Sequence, residues 1–444
     1  MTSRLRVGVD AVSARAVALD EQDRIVAVHR GHPGGDSPSL LLGALIAEGI
    51  DAAAVDRVVA ILPDHPVSDV VAGARVGVLR IGAPAATALP PLAGWPAQLS
   101  GALAGPVTMV RGGHEYDGRE SAPLDLAAVA AFARGCAGNA EAVAVAAVHG
   151  LENPDHELRA AAVIADELGP DVPVIRGAET EALGLLEREH TAVLDAALAR
   201  SARARIGELG AAVRAHNPDA DLYVLRGDGT VLPALDALRH ATASLGSSGA
   251  ALVHGAARLA GTRTAAVVEV TARRAVVGTT HAGLLPDSGL RREIAGVRTG
   301  LRTPRLTSVE RSGPSRLRAV LARARYGFDD LPVVIVGDRA ATLPDPPDVR
   351  VIRPPEADLA AAVGAAVAEA AGTVDRIFWQ GTGGRGDSVA RARRLARDAA
   401  ILAGADPRSL RESPVKEALM TYVPVPAARL RVTAIGPVLE PVTP

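Results

Sequence analysis

At 444 residues, with 48% hydrophobic side chains and a formal net charge of −2, the chain has material for two or three packed lobes and no charge bias toward nucleic acid or a membrane surface. Aromatic residues make up only 2%, which removes the stacking platforms of a single-strand nucleic-acid binder, and no apolar run approaches the ~18 residues a membrane span needs. The single cysteine, Cys136, excludes an internal disulfide and a Cys-based metal cluster. Lys416 is the one lysine, so a P-loop lysine is absent and any Schiff-base chemistry would fall to that residue. Residues 1–20 alternate apolar and charged side chains without the continuous apolar core of a signal peptide, and a cytoplasmic location is expected.

In chain order, residues 5–10, 15–20 and 24–30 are Val- and Ala-rich and separated by turn-formers, the pattern of a β-meander. Residues 37–49 read as a helix, with Ser37 as cap, Pro38 in the first turn and Gly49 as stop. Strands are predicted at 57–62 and 76–81, a helix at 126–134, a strand at 142–148, a helix at 154–168 and a strand at 172–175. Apolar residues from Leu185 to Leu209 recur near 3.6 over a long helix at 184–215. A strand at 222–225, a turn at 227–229 and a helix at 247–259 lead to a second meander at 265–270 and 274–280. Strands at 332–337, 349–352 and 430–435, helices at 356–371 and 386–403, and an exposed loop at 381–386 complete the prediction. Strand and helix alternation implies α/β. Two meanders, each leading into that alternation, suggest two related lobes, the arrangement of the actin-like ATPase (ribonuclease H-like) fold with its duplicated lobes facing a central cleft.

The densest chemistry lies in Arg111-Gly112-Gly113-His114-Glu115-Tyr116-Asp117-Gly118-Arg119-Glu120. Three glycines let backbone turn tightly or approach a ligand, and His, Asp, Glu and Arg offer acid, base and anion-pairing groups. A plain polar loop, held by an ion pair from Arg119 to Glu115 or Asp117, is the alternative. His149, His156, His254 and His281 lack metal-ligand spacing and read as structural, and no zinc motif or Gly-x-Ser-x-Gly elbow occurs.

The run from Ala88 to Asp125, with Leu89-Pro90-Pro91-Leu92, Gly94-Trp95-Pro96 and this loop, resembles the N-terminal half of the hydantoinase A/oxoprolinase family. Further stretches carry the resemblance along the chain: Asn153-Pro154 with His156-Glu157, Gly184 to Glu189, Asp228-Gly229-Thr230, Gly296-Val297-Arg298-Thr299, Ile352-Arg353-Pro354 and Ala362 to Ala366. The resemblance implies an actin-like fold, with a hydantoinase/oxoprolinase N-terminal-like lobe over 1–180 and a core lobe over 181–444. It also implies ATP-dependent hydrolysis of a cyclic amide such as hydantoin or 5-oxoproline, with ATP phosphorylating the ring oxygen, and a separate second subunit of the hydantoinase B type.

The chain departs from the family where phosphate would sit. The first glycine-threonine turn corresponds to Asp10-Ala11-Val12-Ser13-Ala14-Arg15, the second to Glu269-Val270-Thr271-Ala272-Arg273-Arg274, and a later glycine triplet to Gly337-Asp338-Arg339. Of a Thr-rich segment around residues 63–68 only His65 persists. The glycine-rich segment and insertion that follow the Gly-Val-Arg-Thr motif in the family are absent, since Ser312-Gly313-Pro314-Ser315 leads straight into a helix. These losses favour a shortened, degenerate member acting as a non-catalytic binding or assembly subunit, through a second subunit or self-association, with no cofactor and no metal. The alternative is an active cyclic-amide hydrolase using Mg-ATP. A hydrolase that works without ATP through the His114–Glu120 loop is a third reading. Asp10 and Glu269 are the remnant catalytic candidates on opposing cleft walls. His65, His114, Glu115, Asp117, Arg119 and Glu120 are the substrate or cleft candidates. Arg15, Arg273 and Arg339 could form a different anion site.

Overall fold

The first meander forms as its pattern predicts: Leu5–Asp10, Arg15–Leu19 and Ile25–Arg30 pair antiparallel in succession. The helix Pro38–Ala47 follows, with the Ser37 hydroxyl accepting from the Leu40 N–H, and Val55–Ile61 then returns parallel to Leu5–Asp10. These details come from a computed structural model, which describes residues 4–440 except 35, 65–66, 181, 311–313, 328–329, 347–348, 381–383, 422 and 424. His65 and residues 381–383 of the predicted loop lie outside the described residues; from Gly384 that stretch is already helical.

The second meander repeats the first. Ala265–Val270, Arg274–Thr280 and Thr307–Glu310 pair antiparallel, the helix Pro314–Arg325 follows, and Val333–Val336 returns parallel to Ala265–Val270. Each sheet adds a fifth parallel strand, Asp221–Leu225 in one and Val351–Ile352 in the other. Counted by their place in each unit, both sheets run third, second, first, fourth, fifth. The first sheet grows to ten strands by adding Val231–Pro233, Ala370–Trp379, Ala427–Gly436 and two short edge strands. It therefore draws strands from both sides of residue 180. Residues 76–176 build a separate four-stranded sheet, all parallel, with Val76–Ala83 between Val107–Arg111 and Ala142–Ala147, and Val174–Arg176 at the edge.

Two helices lie between the like-ordered sheets. Ala360–Ala366 packs on the first sheet at Gly8, where a Cβ would stand 2.0 Å from the Ala362 carbonyl oxygen. Ser247–Leu259 packs on the second sheet, and the two helices pack on each other. The helix predicted at 356–371 is corrected: it ends at Ala366, and Ala370–Trp379 is a strand paired along its length with Ala427–Gly436. The Ala-rich run has helical propensity, but ten ladder pairs across a buried sheet override it. The hairpin Asp287–Ile294 with Val297–Pro304 carries no clean alternation and escaped the sequence reading. Cys136 is a buried thiol, its pKa pushed up to about 11 by burial.

The long helix Leu185–His216 ties the pieces together. Glu189 forms a buried bidentate pair with Arg80, both contacts at 2.6 Å, and accepts from the Leu92 N–H at 2.8 Å. His190 reaches the Ala93 carbonyl at 3.1 Å and the Arg298 carbonyl at 2.9 Å. Thr191 Oγ1 accepts from the Gly300 N–H at 2.8 Å. The Pro-rich run near residue 90, the helix and the Gly-Val-Arg-Thr segment are thus bonded into one unit.

Candidate functional site

Three places bear on function. The first is the pair of turns at corresponding strand ends. Asp10 closes Leu5–Asp10 and is fully buried; its Oδ1 accepts from the Val12 N–H at 2.9 Å and its Oδ2 from the Ser13 hydroxyl. Burial pushes its pKa up, opposed by the Ser13 and Val12 hydrogen bonds and by Arg15. The carboxylate is thus engaged by its own loop. The Arg15 guanidinium then donates to the carbonyls of Ser13 (3.0 Å), Ala14 (3.1 Å) and Gly31 (3.1 Å), and to Asp358 at 3.2 Å. Ala14 takes φ +55, a conformation that a glycine would adopt without strain.

Glu269, next to last in Ala265–Val270, is half-buried. Burial raises its pKa; Arg274 lowers it and the charge of Asp338 raises it further. Its turn is closed by the Thr271 hydroxyl donating to the Arg274 carbonyl at 2.9 Å. At the neighbouring Gly337 a Cβ would stand 2.4 Å from the Val270 carbonyl, so the glycine there serves strand-to-turn packing. Arg339 pairs with Asp338 at 3.7 Å on an exposed surface. A triphosphate needs free backbone N–H groups and small hydroxyls facing it. The first and third turns do not fit one: the first turn's Ser13 and Val12 donors are spent on Asp10, and the third turn presents Asp338 beside Glu269.

The second place is the loop Arg111–Glu120. His114 and Glu120 face each other in an antiparallel bridge, and His114 is buried with its Nδ1 unpartnered among the described residues. Burial lowers the His114 pKa, with a further contribution from His156, whose ring centroid lies 4.2 Å away. His156 Nδ1 accepts from the Gly113 N–H at 2.9 Å, which leaves the proton on Nε2 to donate to Glu120 at 3.0 Å. Glu115 accepts from the Ser121 hydroxyl at 2.6 Å, and Arg119 pairs with Asp117 at 2.6 Å on the surface. Tyr116 packs on Trp379 with the rings tilted by 43° and their centroids 4.4 Å apart, which seats the loop on the Ala370–Trp379 strand. Glu120 is thus bonded to His156 outside the loop, while Tyr116 and Asp117 border a cavity shared with Arg376, Trp379, Asp387 and Arg391.

The third place was missed in the sequence. A cavity of about 330 Å³ lies where the long helix, the turns at Gly177–Glu179 and Ala241–Ser244, the Asp287–Pro304 hairpin and the end of the Gly384–Leu402 helix meet. Asp195 lines it, 1% exposed. Its Oδ1 accepts from the Thr242 N–H (2.8 Å) and hydroxyl (2.7 Å), and its Oδ2 has no hydrogen-bond partner among the described residues. His240 Nδ1 stands 4.0 Å from that Oδ2, too far for a hydrogen bond. Burial pushes the Asp195 pKa up to about 7; the Thr242 bonds oppose the shift and the charge of Glu179 adds to it. The available signal was one acid inside the apolar run Val193-Leu194-Asp195-Ala196-Ala197-Leu198, a position where an unpaired charge is expensive. In the lining of this cavity, Asp228 is held low despite burial by Arg226 and by its bonds from Thr230, so the Asp-Gly-Thr stretch makes a self-contained turn.

Fold and site together define a mixed α/β protein with several sheets and two sheets of matching strand order. Residues 77–168 match the hydantoinase/oxoprolinase N-terminal region, so this segment is similar to that family. No curated protein sequence matches it significantly. Among solved structures, a nucleotide-free acetone carboxylase studied for ATP-dependent acetone carboxylation superposes with a TM-score of 0.65 at 13% identity, covering 100% of this chain and 89% of that one. The ATP-dependent caprolactamase from Pseudomonas jessenii superposes at 0.70 and 14% identity, covering 99% and 89%. At these identities the likeness speaks for the fold. No helix among the described residues is long and apolar enough to cross a membrane.

Proposed function

We propose that this chain is a duplicated actin-like member of the hydantoinase/oxoprolinase relatives that does not use Mg-ATP and works as a non-catalytic binding or assembly subunit. Its partner in this reading is a second subunit of the hydantoinase B type or a second copy of itself. The two-lobe half of the reading is supported by the shared strand order and by the helix pair Ser247–Leu259 and Ala360–Ala366 between the sheets. The nucleotide half rests on one observation. The Asp10 turn is closed on itself, with its carboxylate bonded to Val12 and Ser13 and the Arg15 guanidinium laid over its carbonyls. A nucleotide phosphate leaving water needs each lost hydrogen bond replaced, and the Val12 N–H and Ser13 hydroxyl of this turn are already bound to Asp10.

Titration calorimetry with Mg-ATP and a non-hydrolysable analogue tests this. The expected result is no saturable heat with either nucleotide, and no phosphate release when hydantoin or 5-oxoproline is added. Micromolar binding accompanied by phosphate release would establish the ATP-dependent hydrolase instead. Size-exclusion chromatography of the chain alone and with a hydantoinase B-type subunit checks the assembly half, for which a monomer that ignores the second subunit is the contrary outcome.

A further inference from the structure

The lining of the Asp195 cavity carries, among the described residues, the carboxylates of Glu179, Asp195, Asp228 and Asp236 and the guanidinium groups of Arg226, Arg292 and Arg302, and Arg176 pairs with Glu179 from outside the lining. Two carboxylate oxygens are buried without a hydrogen-bond partner among the described residues, Asp195 Oδ2 and Glu179 Oε2. The other oxygen of each is engaged, with Thr242 for Asp195 and Arg176 for Glu179. A buried carboxylate oxygen without a donor is unfavourable, and one that faces a cavity is a place for a ligand's donor. The remaining polar groups facing Asp195 do not fill that need. His240 is 4.0 Å away and burial lowers its pKa, while the Arg292 guanidinium is bonded to the Leu245 carbonyl.

Among the described residues no three His, Cys, Asp or Glu side chains converge as metal ligands would. Leu232, Leu301 and Leu402 line the rest of the space, and Leu402, 80% exposed, marks its mouth. An apolar wall next to two unpaired carboxylate oxygens suits a cation with a hydrocarbon body better than a bare ion. We propose that this cavity binds a small organic ammonium ion, its N–H groups donating to Asp195 and Glu179 and its aliphatic body lying against Leu232, Leu301 and Leu402. The ligand gives donors to both unpaired oxygens. The site is independent of the nucleotide turns.

One consequence separates this site from a generic apolar pocket. The ammonium requires the Asp195 carboxylate, which burial holds partly protonated near neutrality with a pKa of about 7. Binding therefore releases a proton, and affinity rises by about tenfold from pH 6 to pH 8. The test uses the full chain and three probes of one length: n-butylammonium, n-butanol and butyrate, by calorimetry and thermal shift at both pH values. Only n-butylammonium should bind, more tightly at pH 8, and Asp195→Asn should weaken it at least tenfold and abolish the pH dependence. Asparagine keeps the acceptor for Thr242, so the fold should be preserved. If that variant does not fold, Glu179→Gln on the same probes gives the second arm, with the same loss expected. Equal binding of butanol and n-butylammonium, a preference for butyrate, or undiminished ammonium binding by a folded Asp195→Asn or Glu179→Gln protein would overturn the proposal.

Discussion

Gly255 and Gly364 meet backbone to backbone where the two helices between the sheets cross. A Cβ on Gly255 would lie 1.7 Å from the Ala360 carbonyl oxygen and 2.6 Å from the Gly364 nitrogen; one on Gly364 would lie 1.9 Å from the Ala251 carbonyl oxygen. The obstacles are main-chain atoms, so no side-chain rotation relieves them and the helices must move apart. Gly255→Ala and Gly364→Ala should each destabilise by about 3 kcal/mol or more, at or beyond the upper end for overpacking. Gly207→Ala, on the exposed face of the long helix with nothing near its Cβ, should instead stabilise by roughly 0.5–1 kcal/mol. Urea denaturation of the three variants checks the contrast.

The Arg80–Glu189 pair makes a second test. Both side chains are essentially inaccessible, at 0% and 1%, and Glu189 also receives the Leu92 N–H. Glu189→Ala leaves a guanidinium buried without its counter-charge and should cost about 3–5 kcal/mol. Replacing both partners with apolar residues should cost less than that single change, because no stranded charge remains. A double-mutant cycle by denaturant titration measures the difference.

The meanders were legible because alternation has period two and their turn residues stand at the breaks, so Ala265–Val270 and Arg274–Thr280 could be bounded to the residue. Ala370–Trp379 was not legible, since its strand character comes from Ala427–Gly436 some 50 residues later. His156 reads as structural in the sequence, and its contacts join separate segments: His156 clamps Gly113 and Glu120, and the neighbouring Glu157 accepts from the Ala147 and Ala178 N–H groups. Asp195 was passed over among its apolar neighbours Leu194 and Ala196 because helical spacing names which face is buried and cannot say that the buried face opens onto a cavity. Glu179 and His240 reach that cavity from distant parts of the chain, and no spacing rule joins them to Asp195.

Within the 111–120 loop the two charge contacts should behave differently. Arg119 is 75% exposed where it meets Asp117, and solvent screens an exposed pair of this kind to a small net contribution. Arg119→Ala should leave the melting temperature nearly unchanged. His156 is 1% exposed and joins Gly113 to Glu120, so His156→Ala removes a buried acceptor and a buried donor together and should cost about 2–4 kcal/mol. Thermal melts of the two variants decide whether the loop is held by its buried histidine or by its surface ions.

The last expectation concerns stability against pH at Asp195. In the unfolded chain an aspartate loses its proton near its ordinary value of 3.8, whereas in the folded protein burial holds the proton until about pH 7. Between these values the native state binds more protons than the unfolded state, so stability falls as pH rises through that window and is fully reduced above it. Asp195→Asn keeps the acceptor that Thr242 uses and carries no charge to desolvate. The variant should match the wild type near pH 4 and become progressively more stable than it from pH 5 to 8, by up to roughly 4 kcal/mol on the linkage relation. Solvent reaching the cavity would reduce that figure without changing its sign. Urea titrations of both proteins across pH 4–8, without added amine, measure the difference directly. A constant offset between the two curves would show that Asp195 does not titrate in this range, and a wild type gaining on the variant as pH rises would show that its carboxylate already has a partner in the fold.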